Sequence, residues 1–266
     1  MTAVGCVFPA APSGNGRTLF SGDSVDDAAP KDQNPGEQAA EEKTPDSLVI
    51  PAPSDGQLPP TTPAEWIGRT APDFVLLDSK GERHQLSEQK SDIVVLEWSS
   101  IVCSFVNRHY SRVSLQATSR SYQGKGVTWF GIDSSFYPIA HPIKVEKWVA
   151  DRRVPHPVLL DPEGIVGEAF GVTVTPTIVI LKGGKVAFFG AIDDDIWGRK
   201  SDSRSFLIEA LDLLLAGEPV AETTPVPYGT SVAYLSVETA RRAAREKARQ
   251  EREAEAAAGS SPKTPR

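Results

Sequence analysis

The chain has 266 residues, with 28 Lys+Arg against 35 Asp+Glu and a net charge of −7. That balance disfavours nucleic-acid phosphates, which need a concentrated basic face, and no window approaches the ~18 consecutive apolar residues of a membrane span. Two cysteines, Cys6 and Cys103, exclude a disulfide framework and a four-thiolate zinc site.

Residues 1–64 carry ten prolines, nine acidic residues against three basic ones, and two aromatics, Phe8 and Phe20. With no sustained apolar period, such a stretch cannot offset the entropy of ordering it; it reads as a disordered acidic arm. All five tryptophans lie beyond it, and residues 65–217 are predicted to form one globular domain. Phe74–Leu77 and His84–Leu86 flank the turn Lys80-Gly81 as a hairpin. Ile93–Trp98 is the near-continuous apolar run of a buried strand in an α/β sheet. A helical pattern runs from Cys103 to about Tyr122, then a second buried strand over Val127–Ile132 and a helix over Lys144–Ala150. His156–Leu160 is extended, Asp161–Gly164 a turn, and Ile165–Phe170 a short helix. Thr177–Leu181 and Val186–Ile192 flank Gly183-Gly184 as a hairpin, and Ser205–Leu215 is an amphipathic helix closed by Gly217. Residues 218–235 are expected to be an extension packed on or near the domain. Residues 236–266 are expected to be a charged Ala/Arg/Glu helix with a disordered tail.

Four features in this order carry a resemblance: Ala71-Pro72-Asp73-Phe74, Glu97 six residues before Cys103, Cys103 itself between a buried strand and a helix, and Thr175-Pro176 after Gly171-Val172. They resemble the entry motif, buried acid, reactive cysteine and cis-proline loop of the thioredoxin superfamily, in its redoxin or alkyl-hydroperoxide-reductase/thiol-specific-antioxidant branch. The resemblance implies an α/β thioredoxin-like fold, a central mixed β-sheet flanked by helices. It also implies redox chemistry without a cofactor or metal. Cys103 is then the nucleophile, with Glu97 assisting proton movement and Ser100 able to hydrogen-bond the thiolate. Trp98, Thr175 and Pro176 shape the substrate site. Only a thiolate attacks a disulfide or peroxide, and the unpaired amides and partial positive charge of a helix N-terminus favour that form. The structural alternative is a buried cysteine acting as a small hydrophobe.

Departures from the family narrow the mechanism. In Cys103-Ser104-Phe105-Val106 the second cysteine of a Cys-x-x-Cys pair is replaced by Val106, which ends dithiol cycling within this loop. Ser100 fits the hydroxyl position of the peroxiredoxin pattern Pro-x-x-x-Thr/Ser-x-x-Cys, but Leu96 stands in the place of its proline. No arginine follows Thr175-Pro176 in the next strand. Val226 to Tyr234 resembles a C-terminal extension in which a cysteine commonly follows the glycine; here Thr230 follows Gly229. The reading is a thiol-dependent oxidoreductase with a lone nucleophile. A disulfide or peroxide substrate would convert it to a mixed disulfide or sulfenic acid, resolved by an external thiol such as a thioredoxin-like protein or a low-molecular-weight thiol. The alternative is a catalytically reduced module that binds peptides or proteins along the backbone edge beside Thr175-Pro176. Ala3-Val4-Gly5-Cys6 loosely resembles the end of a bacterial lipoprotein signal, without a basic or apolar region before it. Membrane contact at the cell envelope is expected only if Cys6 is lipidated and the true start lies upstream; otherwise the expectation is cytoplasmic. Asp193-Asp194-Asp195 reads as a solvated acidic turn.

Overall fold

The computed structural model describes residues 60, 62–112, 114–136, 142–220 and 225–237, with single positions at 239, 242, 249, 250 and 252. Nearly all of the acidic arm, with Cys6, and most of the charged helix and tail lie outside the described residues; the end of the arm, from Pro63, enters the first helix. Among the described residues no helix is long and apolar enough to cross a membrane.

A one-turn helix, α1 (Pro63–Trp66), precedes the sheet; proline at its first position has no amide to leave unpaired. The hairpin β1 (Val75–Asp78) and β2 (Arg83–Gln85) follows, then the central strand β3 (Ile93–Trp98). After β3 the chain makes two helices where the sequence pattern suggests one, α2 (Ser104–Ser111) and α3 (Ser114–Gln123). The break has a cause. Ser114 Oγ donates to the His109 carbonyl at 3.1 Å and Gln116 Nε2 to the Tyr110 carbonyl at 2.8 Å, so side chains take acceptors of the last turn of α2. Next come β4 (Thr128–Asp133), α4 (Pro142–Arg152), β5 (Val158–Leu160) and α5 (Ile165–Ala169). The chain ends its core with β6 (Val174–Thr175), β7 (Thr177–Lys182), β8 (Lys185–Gly190) and α6 (Phe206–Ala216). Ser205 caps α6 by accepting from the Ile208 amide, and Gly217 closes it with φ 78°.

Seven strands form one mixed sheet in the order β2-β1-β5-β4-β3-β7-β8. β3, β4 and β5 run parallel, while β1 and β7 are antiparallel to their neighbours. This is the α/β architecture the sequence implies, a central mixed sheet flanked by helices. Successive side chains of β3 go to opposite faces. Val94, Leu96 and Trp98 join one apolar cluster with Phe74, Phe170 and Tyr234, whereas Ile93 and Val95 join the other with Cys103, Val106 and Trp129.

A second, two-stranded sheet pairs β6 with β9 (Thr230–Ser231), antiparallel, aligning Val174 with Ser231 and Thr175 with Thr230. Tyr234 pins the chain just beyond. Its hydroxyl donates to the Val172 carbonyl at 2.5 Å, and its ring fills the space over Gly164 and Gly167, where an added Cβ would lie 2.5 Å from it.

The first cluster centres on Phe170, with Trp98 at 5.0 Å, Trp66 at 5.4 Å and Phe74 at 6.5 Å between ring centroids. Phe170→Ala should therefore lose ~3–5 kcal/mol in urea unfolding followed by circular dichroism, the usual cost of emptying an aromatic core position. A loss below about 1 kcal/mol, the range of an ordinary surface change, would show that this cluster is not what holds β3 to α5.

Candidate functional site

The loop between β3 and α2, Ser99 to Val102, presents Cys103 at the N-cap of α2 with extended backbone (φ −78°, ψ 121°). Its amide donates to the Ser100 carbonyl at 3.0 Å. Asn107, one turn along α2, holds the loop from below. Its Nδ2 donates to the Ile101 carbonyl at 2.7 Å and the Cys103 carbonyl at 3.0 Å, and its Oδ1 accepts from Trp148 Nε1 at 3.0 Å. Sequence reasoning passed over Asn107. The available signal was its i+4 spacing from a residue at a helix start, which lets one amide serve both loop and helix.

Cys103 is 1% exposed. Its Sγ lies 3.1 Å from the Thr175 carbonyl oxygen and 3.4 Å from Thr230 Oγ1. The Thr175–Pro176 peptide is cis. The structure thus brings together Cys103, Thr175 and Pro176 from the expected set, and adds Thr230 from the extension. A thiol hydrogen has its acceptor in the Thr175 carbonyl, while the Thr230 hydroxyl can donate to sulfur once that hydrogen is gone.

Glu97 lies on the same face of β3 as Cys103 but is fully engaged elsewhere. Oε1 accepts from the Tyr110 hydroxyl at 2.8 Å and Oε2 from Trp129 Nε1 at 3.0 Å. Tyr110 also meets His156 Nε2 at 3.3 Å, and His156 Nδ1 meets Ser119 Oγ at 2.8 Å. Burial pushes the Glu97 carboxyl up to about 7 against those two hydrogen bonds, and burial takes His156 down to about 3. Both are predominantly neutral in mildly acidic solution.

Trp98 is not at the sulfur. Strand alternation sends it to the opposite face, where its Nε1 donates to Ser134 Oγ at 3.2 Å and Ser134 donates to Asp161 Oδ2 at 2.6 Å. Asp161 in turn accepts from the Val166 and Gly167 amides and ties β5 to α5. The Ser100 hydroxyl makes no hydrogen bond to the sulfur: it is buried, has no partner of normal geometry, and faces the Asp133 carboxyl. Asp133 is the buried acid that sequence reasoning missed. Burial raises it to about 7, opposed by the Ser135 amide, then by Ser100, the Ser135 hydroxyl and the Ile101 amide of the cysteine loop.

The acidic triplet is structural. Asp193 accepts from the Tyr228 hydroxyl, Asp194 from Lys200 Nζ and the Arg204 amide, and Asp195 from the Arg199 and Lys200 amides. His109 lies 4.0 Å from Asp193, and burial lowers it to about 4. Asp78, Glu82 and His84 bring ligand atoms within 4.8 Å of one another, but Asp78 already accepts from the Lys80 and Glu82 amides as the cap of the β1–β2 turn.

Residues 67–189 match the AhpC/TSA family. Thiol-disulfide oxidoreductase ResA of Geobacillus thermodenitrificans is 30% identical over 122 residues, 45% of this chain and 66% of the relative. The chain thus spans just under two thirds of that relative's length. A solved hypothetical protein, SMc02350 of Sinorhizobium meliloti, is 26% identical with a TM-score of 0.59, over 63% of this chain and 94% of that one. An uncharacterized conserved protein of Geobacillus kaustophilus is 28% identical with a TM-score of 0.58, over 63% and 92%.

Two outcomes follow from this geometry. Because the folded Glu97 binds its proton more tightly than the unfolded one, its contribution favours folding below pH 4.5 and is lost as pH rises through 7. Glu97→Gln should therefore gain stability over the native chain between pH 4.5 and 8, by ~2–4 kcal/mol at the upper end, in urea titrations at each pH. A pH-independent difference would refute the buried neutral acid. Second, Thr230→Cys in a Cys6→Ser background should lose both free thiols on mild oxidation, since closing 3.4 Å to the ~2 Å of a disulfide needs only a small shift. Two thiols still titrating after oxidation would place Thr230 away from Cys103.

Proposed function

We propose, from the premise that residues 67–189 form a redoxin domain of the AhpC/TSA family, that this chain is a thiol-dependent oxidoreductase with Cys103 as its nucleophile. The observation that carries the reading is the position of the sulfur: at the N-cap of α2, against the carbonyl of a cis Thr175–Pro176 peptide, with Thr230 Oγ1 as its second neighbour. With a disulfide, the Cys103 thiolate attacks one substrate sulfur, forming a mixed disulfide and releasing the other sulfur as a thiolate. With a peroxide, the thiolate attacks one oxygen; the O–O bond breaks, sulfur becomes a sulfenic acid, and the departing alkoxide or hydroxide takes a proton. An external thiolate then attacks either product. The mixed disulfide returns Cys103 as a thiolate. The sulfenic acid loses water to become a mixed disulfide, which a second external thiol reduces.

Thr230 beside the sulfur cannot resolve that intermediate, and Val106 is buried in the core, so the external thiol supplies the step. The roles of the other residues follow from their contacts. Thr175 and Pro176 shape the site. Glu97 acts through Tyr110 and the packing beneath α2 and not on the sulfur. Trp98 and Ser100 support the strand and loop. A peptide-binding module would need the β6 edge, which β9 covers, and this favours the oxidoreductase.

Turnover of hydrogen peroxide and of a small disulfide, with dithiothreitol as reductant, tests the proposal. The Cys6→Ser chain should retain activity and Cys103→Ser should fall to the uncatalysed background. Activity surviving in Cys103→Ser, or absent from the native chain with both oxidants, would defeat it.

A further inference from the structure

The edge that a cis-proline loop offers to an extended peptide is already taken in this chain. β9 pairs with β6 through Thr230 and Ser231, and the Val232 amide continues the contact by donating to the Thr173 carbonyl at 2.9 Å. The approach is close because residue 229 is glycine: its φ is +152°, and a Cβ there would lie 1.8 Å from the Thr175 carbonyl oxygen and 3.2 Å from Pro176 Cδ. No side chain fits that gap. The segment is held at both ends. Before Gly229, the Tyr228 hydroxyl bonds to Asp193 and accepts from Arg108 Nη2 at 3.1 Å, with its ring edge-on to Phe105 at 5.9 Å. After it, Val232 and Tyr234 are buried in the apolar cluster.

We infer that residues 229–231 are a specificity-determining strap: the chain fills its own peptide-binding edge, so the closed site admits small oxidants and small thiols to Cys103 and excludes extended polypeptides. The inference rests on the oxidoreductase reading for its substrates but not for its geometry. Two observations support closure. Cys103 is 1% exposed although the loop residue before it, Val102, is 56% exposed, and the strap's own Thr230 supplies a polar contact to the sulfur. A peptide would have to displace two strand residues and a hydrogen bond to sulfur before it could pair.

The test compares Cys103 alkylation by iodoacetamide and by a bulky polyethylene-glycol maleimide in the folded, full-length Cys6→Ser chain, each rate divided by that of a free cysteine derivative. Closure predicts that the bulky reagent is the more strongly retarded. Gly229→Ala, whose Cβ meets backbone, should raise the bulky-reagent rate about tenfold and the iodoacetamide rate less, because access then tracks the population of the opened strap. Equal retardation of both reagents in the native segment, or unchanged rates in Gly229→Ala, overturns the inference. Should that variant fail to fold by circular dichroism, Tyr228→Phe, which loses the bond to Asp193, is read by the same criterion. Because the readout is alkylation, selective protection without turnover would fail the oxidoreductase reading alone, and turnover without selective protection would fail the strap alone.

Discussion

Everything at the site depends on how β3 is held. It is paired along its whole length to β7 on one edge and from Val94 to Trp98 to β4 on the other, and all six of its side chains are buried. A strand hydrogen-bonded on both edges cannot slip, and one covered on both faces cannot rotate, so each side chain has one destination. Trp98 must go to the Phe170 cluster, Glu97 to the face beneath α2, and the loop must leave from a fixed point. Cys103 inherits its position from that departure and from Asn107, which ties the loop back to the helix it starts.

Beneath α2 the polar groups are arranged to avoid net charge. Two acids are pushed up toward neutrality and two imidazoles down, in each case by burial first. Hydrogen bonds among Glu97, Tyr110, Trp129, His156 and Ser119 satisfy the network without an ion pair. In the proposed reaction, charge that develops on sulfur meets the Thr230 hydroxyl, in surroundings where such a contact is strong.

Much of this was legible in the residues. The apolar runs of β3 and β4, the glycine turn of β7–β8 and the closure of α6 at Gly217 follow from period and turn chemistry, and the ordered landmarks from Ala71 to Pro176 carry the fold. Two placements were not legible from spacing. Glu97 and Trp98, both expected near the sulfur, face opposite ways as neighbours on a strand do. Ser100, expected to bond the thiolate, directs its hydroxyl to Asp133, an acid whose importance comes from burial and leaves no local pattern. The α2–α3 break, and the two-residue strands β6 and β9, fall below the length at which periodicity can report.

The match to the family ends at residue 189, yet a neighbour of the Cys103 sulfur is residue 230, and the ring that anchors its strand is at 234. The unit that surrounds the sulfur is therefore longer than the matched region. An insertion or deletion between α6 and Gly229 would leave every residue of the matched region intact while altering the stretch that delivers the strand to the sulfur. Under the strap proposal, length variation in that connecting stretch is thus a route by which access to Cys103 could change with the matched core untouched.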